Sequence, residues 1–152
     1  MELKKVFLDT DVVINWLIKE TESVSGRELW KAPYAIVELV ESKAVLGMIS
    51  LTTLMEIRYL LRRKKSYTNQ QVEDDISRLT ALFEVIIPDE ISLLKANSLQ
   101  AKHHLAPFDA IHLSILTGLK PVTLLSRDKE FIKISKQFIT ALSPEEFLNV
   151  RE

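Results

Sequence analysis

Short apolar runs alternate with longer stretches of helical periodicity along the whole of this chain. Such alternation predicts parallel strands, because each parallel pair needs a crossover connection, usually a helix, that covers one face of the sheet. We therefore expect a three-layer α/β/α fold with a central, mostly parallel sheet of four to five strands. The strands are predicted at 3–8, 45–50, 85–87, 121–125 and, weakly, 137–139, and the helices at 11–18, 33–42, 51–65, 68–83, 91–104, 107–117, from 129 and from 143.

The composition limits the class of protein and the kind of site. A length of 152 residues predicts a single domain over 1–152. The absence of cysteine excludes disulfides and thiolate metal sites, and three scattered glycines exclude a Gly-rich phosphate loop. The net charge of −1 gives no general attraction to nucleic acid, so such contact needs a local patch or a bound metal. The N-terminus resembles neither a signal peptide nor a membrane span, so we expect a cytoplasmic protein without membrane contact.

Acidic side chains follow or closely flank the predicted strands at four separate places. Asp9 and Asp11 come directly after the run Val6-Phe7-Leu8, and Glu56 lies in the helix that follows the second strand. Asp109 stands two residues after a proline at a helix start, and Asp128 follows the fourth strand. In an open α/β sheet, ligands collect at the carboxyl ends of the strands. A fold that brings these places together would therefore build a cluster of carboxylates.

Each acid also has an ordinary structural interpretation. Asp11 and Asp128 fit the N-cap positions of the helices that follow them, and Asp9 fits a turn. Asp109 would complement the dipole at a helix N-terminus, while an exposed helical glutamate such as Glu56 is common. A functional role is favoured for Asp9, because a charge directly after an apolar strand is costly to bury without a partner. The joint pattern is therefore more informative than any one residue.

A cluster of carboxylates constrains the chemistry. Two carboxylates about 5 Å apart repel by roughly 3 kcal/mol at an effective dielectric of about 20. Either raised pKa values or a bound cation must relieve this repulsion. Oxygen ligands without cysteine suit Mg²⁺ or Mn²⁺ better than zinc. Such ions polarise a phosphoryl oxygen and activate a water for in-line attack.

Other polar residues near these acids have two open interpretations. His112 shares a helix face with Asp109, so it either touches substrate, orients Asp109 or is a satisfied polar group at the core edge. Arg58, Arg62 and Arg63 follow Glu56 on one helix, where they either complement the helix dipole or contact an RNA backbone.

At these residues the chain resembles the PIN-domain ribonucleases, most closely the VapC-type toxins of prokaryotic toxin–antitoxin pairs. The resemblance covers nearly the whole chain, and four short acidic motifs occur in the family's order. The motifs are Val6-Phe7-Leu8-Asp9-Thr10-Asp11-Val12, Ile49-Ser50-Leu51-Thr52-Thr53-Leu54-Met55-Glu56-Ile57, Phe108-Asp109-Ala110-Ile111-His112-Leu113 and Leu124-Leu125-Ser126-Arg127-Asp128-Lys129-Glu130-Phe131, with Ser143-Pro144-Glu145-Glu146-Phe147-Leu148 as the closing segment.

The resemblance implies Mg²⁺- or Mn²⁺-dependent cleavage of single-stranded RNA or of a structured RNA loop. It implies a homodimer and an antitoxin that blocks the acidic cleft. Asp9 and Asp109 would be the leading metal ligands, with Glu56 and Asp128 completing the catalytic pocket and Ser126 supporting it by a hydrogen bond. The chain departs from the family at Asp11, where asparagine is common; the extra charge would tighten metal binding or cap the helix.

Two alternatives remain open at the level of sequence. The segment Asp9-Thr10-Asp11-Val12-Val13 also fits the opening motif of haloacid dehalogenase-type phosphatases, in which Asp9 would be a nucleophile and Ser50 could follow it. No convincing lysine motif and no late Asp-Asp pair support that interpretation.

The second alternative is a catalytically silent PIN-fold module that binds an antitoxin or RNA. The presence of all four acids argues against such degeneration.

Overall fold

The computed structural model describes residues 2–151, and these form five strands and eight helices, with one or two helices between successive strands. The elements are β1 (Lys4–Leu8), α1 (Thr10–Leu17), α2 (Lys31–Glu41), β2 (Val45–Ser50), α3 (Leu51–Arg62), α4 (Asn69–Leu82), β3 (Glu84–Ile86), α5 (Glu90–Lys102), α6 (Pro107–Thr117), β4 (Thr123–Leu125), α7 (Lys129–Ser135), β5 (Thr140–Leu142) and α8 (Pro144–Arg151).

The five strands form one parallel sheet in the order β3-β2-β1-β4-β5. This confirms the predicted α/β class and the parallel sheet. The first strand lies at the centre, where Val6 is paired with Gly47 on one side and with Thr123 on the other. The chain extends from β1 to β3 in one direction and from β4 to β5 in the other. The strand order therefore reverses between β1 and β4, which is where an open α/β sheet forms a ligand crevice.

Apolar side chains of successive strand residues point to opposite faces and build two cores. Val6 and Leu8 of β1 belong to the larger core, with buried side chains of α1, α2, α3, α4 and α8. Phe7 belongs to the smaller core, with buried side chains of α6 and α7, and α5 packs against α6. Helices therefore cover both faces of the sheet, as the three-layer prediction required.

Two predicted boundaries are wrong in ways that matter. The last strand is Thr140–Leu142, not 137–139. The N–H groups of Gln137, Phe138 and Ile139 instead donate to carbonyls of residues 134 and 135, which closes the turn after α7. The first helix begins at Thr10, one residue before its predicted start, because the Asp9 side chain accepts a hydrogen bond from the Thr10 N–H. Asp9 is thus the N-cap, and the alternative that gave this position to Asp11 is wrong.

Within residues 2–151, no helix combines the length and the apolar character that crossing a membrane would require.

Candidate active site

An open cleft of about 390 Å³ lies where the strand order reverses, above the carboxyl ends of β1 and β4. All four of the separately located acids contribute to its wall, together with Asp11. The sequence distributes these acids over more than a hundred residues, and the fold brings them to one place. The lining residues are Asp9, Thr10, Asp11, Ile14, Asn15, Glu20, Glu56, Leu60, Asp109 and Asp128.

Asp9 is the most firmly held of the acids. Its side chain is buried, and each carboxylate oxygen accepts a hydrogen bond from a different part of the chain. The Thr10 N–H donates to Oδ1 at 3.0 Å, and the buried Ser126 hydroxyl donates to Oδ2 at 2.9 Å. The Asp9 N–H donates to the carbonyl of Leu125 and so extends the β1–β4 ladder. The carboxylate is therefore fixed by both strands that border the cleft.

Glu56 reaches the cleft from the second turn of α3. The Thr10 hydroxyl donates to its Oε1 at 2.7 Å. Burial raises the pKa of this carboxyl, the Thr10 hydrogen bond lowers it in part, and the charge of Asp9 raises it. Glu56 is thus a half-buried acid tied to the residue that follows Asp9, and not the exposed helical glutamate of the ordinary interpretation.

Asp109 carries the effect of the whole cluster. Its pKa is raised to about 7, chiefly by burial and further by the charges of Asp9, Asp128 and Glu56, while His112 opposes the rise. Asp128 caps α7, where its Oδ1 accepts a hydrogen bond from the Phe131 N–H at 3.1 Å. The N-cap interpretation of Asp128 is therefore correct, and the same carboxyl also borders the cleft.

Asp11 is held from the loop that follows β4. Its Oδ2 accepts a hydrogen bond from the Arg127 N–H at 3.0 Å, while its buried Oδ1 has no partner among the described residues. The pKa of this carboxyl is raised to about 7, chiefly by burial and then by the charge of Asp9, while the hydrogen bond from the Arg127 N–H opposes the rise. Asp11 and Asp109 therefore both have pKa values raised to about 7, chiefly because they are buried and in part because of the predicted repulsion from Asp9.

His112 lies beneath the acids with its side chain only 1% exposed. Its Nε2 is 2.8 Å from the Thr52 hydroxyl, which satisfies one ring nitrogen. Its Nδ1 lies 3.3 Å from Oδ1 of Asp9 but makes no aligned hydrogen bond. One ligand atom from each of Asp9, Asp109 and His112 falls within 4.8 Å of the other two. The prediction of a satisfied polar group holds for one nitrogen only.

The basic residues of α3 face other partners. The Arg58 guanidinium binds both carboxylate oxygens of Glu73 on α4, at 3.0 Å each. Arg63 donates to the Tyr59 hydroxyl at 3.0 Å and lies over its ring, and Arg62 is exposed at the end of the helix. A role of Arg58, Arg62 and Arg63 in RNA contact stays a prediction, and for Arg58 it would require sharing the ion pair with Glu73.

Four residues of the site were not singled out by sequence reasoning. Thr10 and Arg127 stand inside the quoted motifs, but their roles depend on partners far along the chain. Asn15 accepts a hydrogen bond from the Arg127 side chain and donates to Glu20 at 2.8 Å. Glu20 lies in a polar loop whose sequence carries no signal that it will return to the cleft.

The donor set fits a hard divalent cation. Carboxylate oxygens dominate it, the chain has no cysteine, and burial together with the neighbouring negative charges raises the pKa of Asp109, an effect that a bound cation would oppose. A buried carboxylate oxygen of Asp11 and a buried ring nitrogen of His112 lack hydrogen-bond partners among residues 2–151. Such atoms are uncommon inside proteins, and ion binding is one reason for them.

Comparison with known proteins bears on the fold and the family. A family model described as "PIN domain" matches residues 5–130. No curated protein matches the sequence significantly.

Three solved structures show the same arrangement of elements. The structure of VapBC2 from Rickettsia felis, bound to a DNA fragment from its promoter, aligns with a TM-score of 0.67 at 16% identity, over 90% of this chain and 97% of that one. A toxin–antitoxin complex from Klebsiella pneumoniae aligns with a TM-score of 0.64 at 19% identity, over 92% and 98%. FitAcB from Neisseria gonorrhoeae aligns with a TM-score of 0.63 at 15% identity, over 92% and 98%. At these identities the likeness concerns the fold.

Proposed function

This chain belongs to the PIN domain family, and on that premise we propose that it is an endoribonuclease that hydrolyses RNA phosphodiester bonds with the help of Mg²⁺ or Mn²⁺. The observation that carries the proposal is the gathering of Asp9, Glu56, Asp109 and Asp128 along one open cleft. Carboxylates gathered in one cleft favour the binding of a divalent ion, and divalent ions support the hydrolysis of nucleic acids.

The roles of the acids follow from how each is held. Asp9 and Asp109 are the proposed metal ligands, because three hydrogen bonds fix Asp9, and because burial and the charges of Asp9, Asp128 and Glu56 raise the pKa of Asp109. Glu56 and Asp128 complete the pocket from α3 and from the start of α7. Ser126 is a positioning residue, since its hydroxyl donates to Asp9 and accepts from the Asp128 N–H.

A divalent ion bound by these ligands would polarise a phosphoryl oxygen and make an adjacent water easier to deprotonate. The Thr10 hydroxyl orients Glu56 through Oε1, and Glu56 lines the cleft. We assign to Glu56 the acceptance of the proton from the attacking water. Attack breaks the bond between phosphorus and the 3′ oxygen, which leaves as a 3′-hydroxyl after protonation, and the other product carries a 5′-phosphate.

The experiment that tests this proposal compares RNA cleavage by the wild type, Asp9→Asn and Asp109→Asn, with Mn²⁺ titrated into each by calorimetry. Both variants should lose cleavage and bind Mn²⁺ more weakly while remaining folded. Asp74→Asn is the matched control, because Asp74 is exposed on α4 outside the cleft. Wild-type cleavage by Asp109→Asn would contradict the proposal.

We further propose that the protein is a toxin whose partner is an antitoxin that covers the acidic cleft, and that it forms a homodimer. The Klebsiella pneumoniae structure is a toxin–antitoxin complex, and its likeness in fold supports the proposal of an antitoxin partner by analogy. The test is co-expression with the product of the adjacent reading frame, followed by cleavage assays and light scattering. A partner that binds should suppress cleavage, and a monomeric mass for the free protein would contradict the dimer.

The family match favours the nuclease over the phosphatase alternative. If the protein is instead a catalytically silent binding module, the same assays should show partner binding without RNA cleavage. Tight binding of a partner, together with no cleavage of varied RNAs in Mn²⁺, would favour it.

A further inference from the structure

The ring of His112 is fixed in place beside Asp9 and Asp109, two of the acids of the cleft. It is fully buried on α6, one turn after Asp109, and packs against the ring of Phe7. Its Nε2 lies 2.8 Å from the Thr52 hydroxyl, which in turn lies 2.8 Å from the Ser50 hydroxyl. If Nε2–H donates to Thr52 and Thr52 donates to Ser50, every one of these polar groups is satisfied. Nδ1 then presents a lone pair to its surroundings.

The surroundings of Nδ1 are acidic and contain no protein donor for it. Oδ1 of Asp9 lies 3.3 Å away without hydrogen-bond alignment, and no other described residue bonds to Nδ1. Both oxygens of Asp9 already accept hydrogen bonds from Thr10 and Ser126. A buried ring nitrogen without a partner costs free energy, and a lone pair beside a carboxylate adds repulsion. A cation between the two groups removes both costs.

The geometry brings three ligand atoms to one place, one each from Asp9, Asp109 and His112, all within 4.8 Å of one another. Ligand bonds of about 2.1 Å place neighbouring ligands of an octahedral ion about 3.0 Å apart and opposite ligands about 4.2 Å apart. The 3.3 Å between Nδ1 and Oδ1 of Asp9 therefore suits two neighbouring ligands. Metal-bound histidines usually donate their other ring N–H to an oxygen acceptor, which fixes tautomer and orientation. The Thr52 hydroxyl, 2.8 Å from Nε2 of His112, is placed to be this acceptor.

We propose that His112 binds the divalent ion through Nδ1, together with Asp9 and Asp109, and that this nitrogen ligand makes the site prefer Mn²⁺ over Mg²⁺. The inference rests on the metal site of the proposed function and adds a ligand and a metal preference to it. Mg²⁺ favours oxygen ligands and retained water, whereas imidazole raises the affinity for transition-metal ions.

The direct test is electron spin echo spectroscopy of Mn²⁺ bound to the full chain after removal of other metals. We expect modulation from a coordinated ¹⁴N nucleus, replaced by ¹⁵N lines when the histidines are ¹⁵N-labelled. This measurement needs no substitution and so does not depend on a variant that folds. His103→Gln with His104→Gln is the matched control, because these two histidines lie outside the cleft lining; the double variant should keep the signal.

Calorimetry with Mn²⁺ and Mg²⁺ gives the second readout. His112→Gln should weaken Mn²⁺ binding by roughly tenfold or more, with a smaller change for Mg²⁺, so that the preference falls. Mn²⁺ bound in the wild type and weakened by Asp109→Asn, but without nitrogen coupling, overturns this inference and leaves the proposed metal site standing. Mn²⁺ binding that Asp109→Asn does not change overturns both.

Discussion

The hydroxyl of Ser126 donates to Oδ2 of Asp9 at 2.9 Å, although the two residues are 117 positions apart. Both side chains are buried, and each ends one of the two adjacent strands at which the sheet order reverses. The bond therefore links Asp9, which follows β1, to the segment after β4 that contains Asp128. The same serine hydroxyl also accepts a hydrogen bond from the Asp128 N–H. Substitution of Ser126 therefore measures what these two hydrogen bonds contribute to stability and to activity.

Ser126→Ala should lower the free energy of unfolding by about 1–3 kcal/mol, since it removes a hydrogen bond to a buried charged group. It should also reduce RNA cleavage by about tenfold or more, because Asp9 and Asp128 lose their common support. Urea denaturation and cleavage rates measure the two effects. Ser135→Ala is the control, because Ser135 is equally buried but its hydroxyl has no hydrogen-bond partner within the described chain. Equal losses in both variants would contradict the assignment.

Arg127→Ala should destabilise the protein by about 3–5 kcal/mol, the range for breaking a buried charged network. The Arg127 side chain is 15% exposed and binds Glu145 at 2.7 Å, the Leu29 carbonyl at 2.7 Å and the Asn15 side chain. Arg27 also binds Glu145, but its side chain is 56% exposed. Arg27→Ala should therefore cost less than about 1 kcal/mol. Chemical denaturation of both variants provides the comparison, and a similar cost for the two would be the contrary result.

The metal-free protein should become less stable as the pH rises from about 5.5 to 8. Asp11 and Asp109 have pKa values of about 7 when folded, against an ordinary 3.8, so the native state holds more protons than the unfolded state in this range. Stability then falls with pH through the folded pKa. Urea denaturation in the presence of a chelator measures the slope. Asp109→Asn should flatten it, and Mn²⁺ should restore more stability at pH 8 than at pH 5.5. A variant slope equal to that of the wild type would count against this explanation.

Gly47→Ala should destabilise the protein by about 1–3 kcal/mol. A Cβ at Gly47 would lie 2.7 Å from Cγ2 of Val40 and 2.8 Å from Cδ1 of Phe83, which is closer than packed atoms allow. Gly118→Ala is the control, because the nearest atom to its Cβ would be 3.5 Å away and its φ of −88° suits alanine. Thermal and urea denaturation should separate the two variants. No loss at Gly47 would mean that β2 can move away from α2 and α4.

The sequence predicted the α/β class correctly, because the alternation of strand and helix periods can be read from residues that are close together in the chain. It also identified the acids, since Asp9 and Asp128 directly follow or closely follow apolar strands, and parallel strands end at one edge of the sheet. The strand order was not predicted. Which strands become neighbours of β1 depends on long-range packing of two cores, and no local pattern encodes it.

The failures of prediction have the same physical origin. Phe138 and Ile139 look like strand residues, but their N–H groups are used by the turn after α7, and their apolar side chains pack against the smaller core. Arg127 and Glu20 look like surface charges. Both side chains form hydrogen bonds with Asn15, and such partners become visible only when the chain is folded.

The position of β1 between β2 and β4 also has a consequence during synthesis. During translation, β1, β2 and β3 leave the ribosome first, together with Asp9 and Glu56. At that stage the edge of β1 that pairs with β4 is still unpaired. Asp109 and then Asp128 emerge only afterwards, and β4 must insert beside β1 before the four acids face one another. A nascent or prematurely released chain that ends before Asp128 therefore lacks the complete set of acids, and the RNA cleavage proposed above would require translation to be nearly finished.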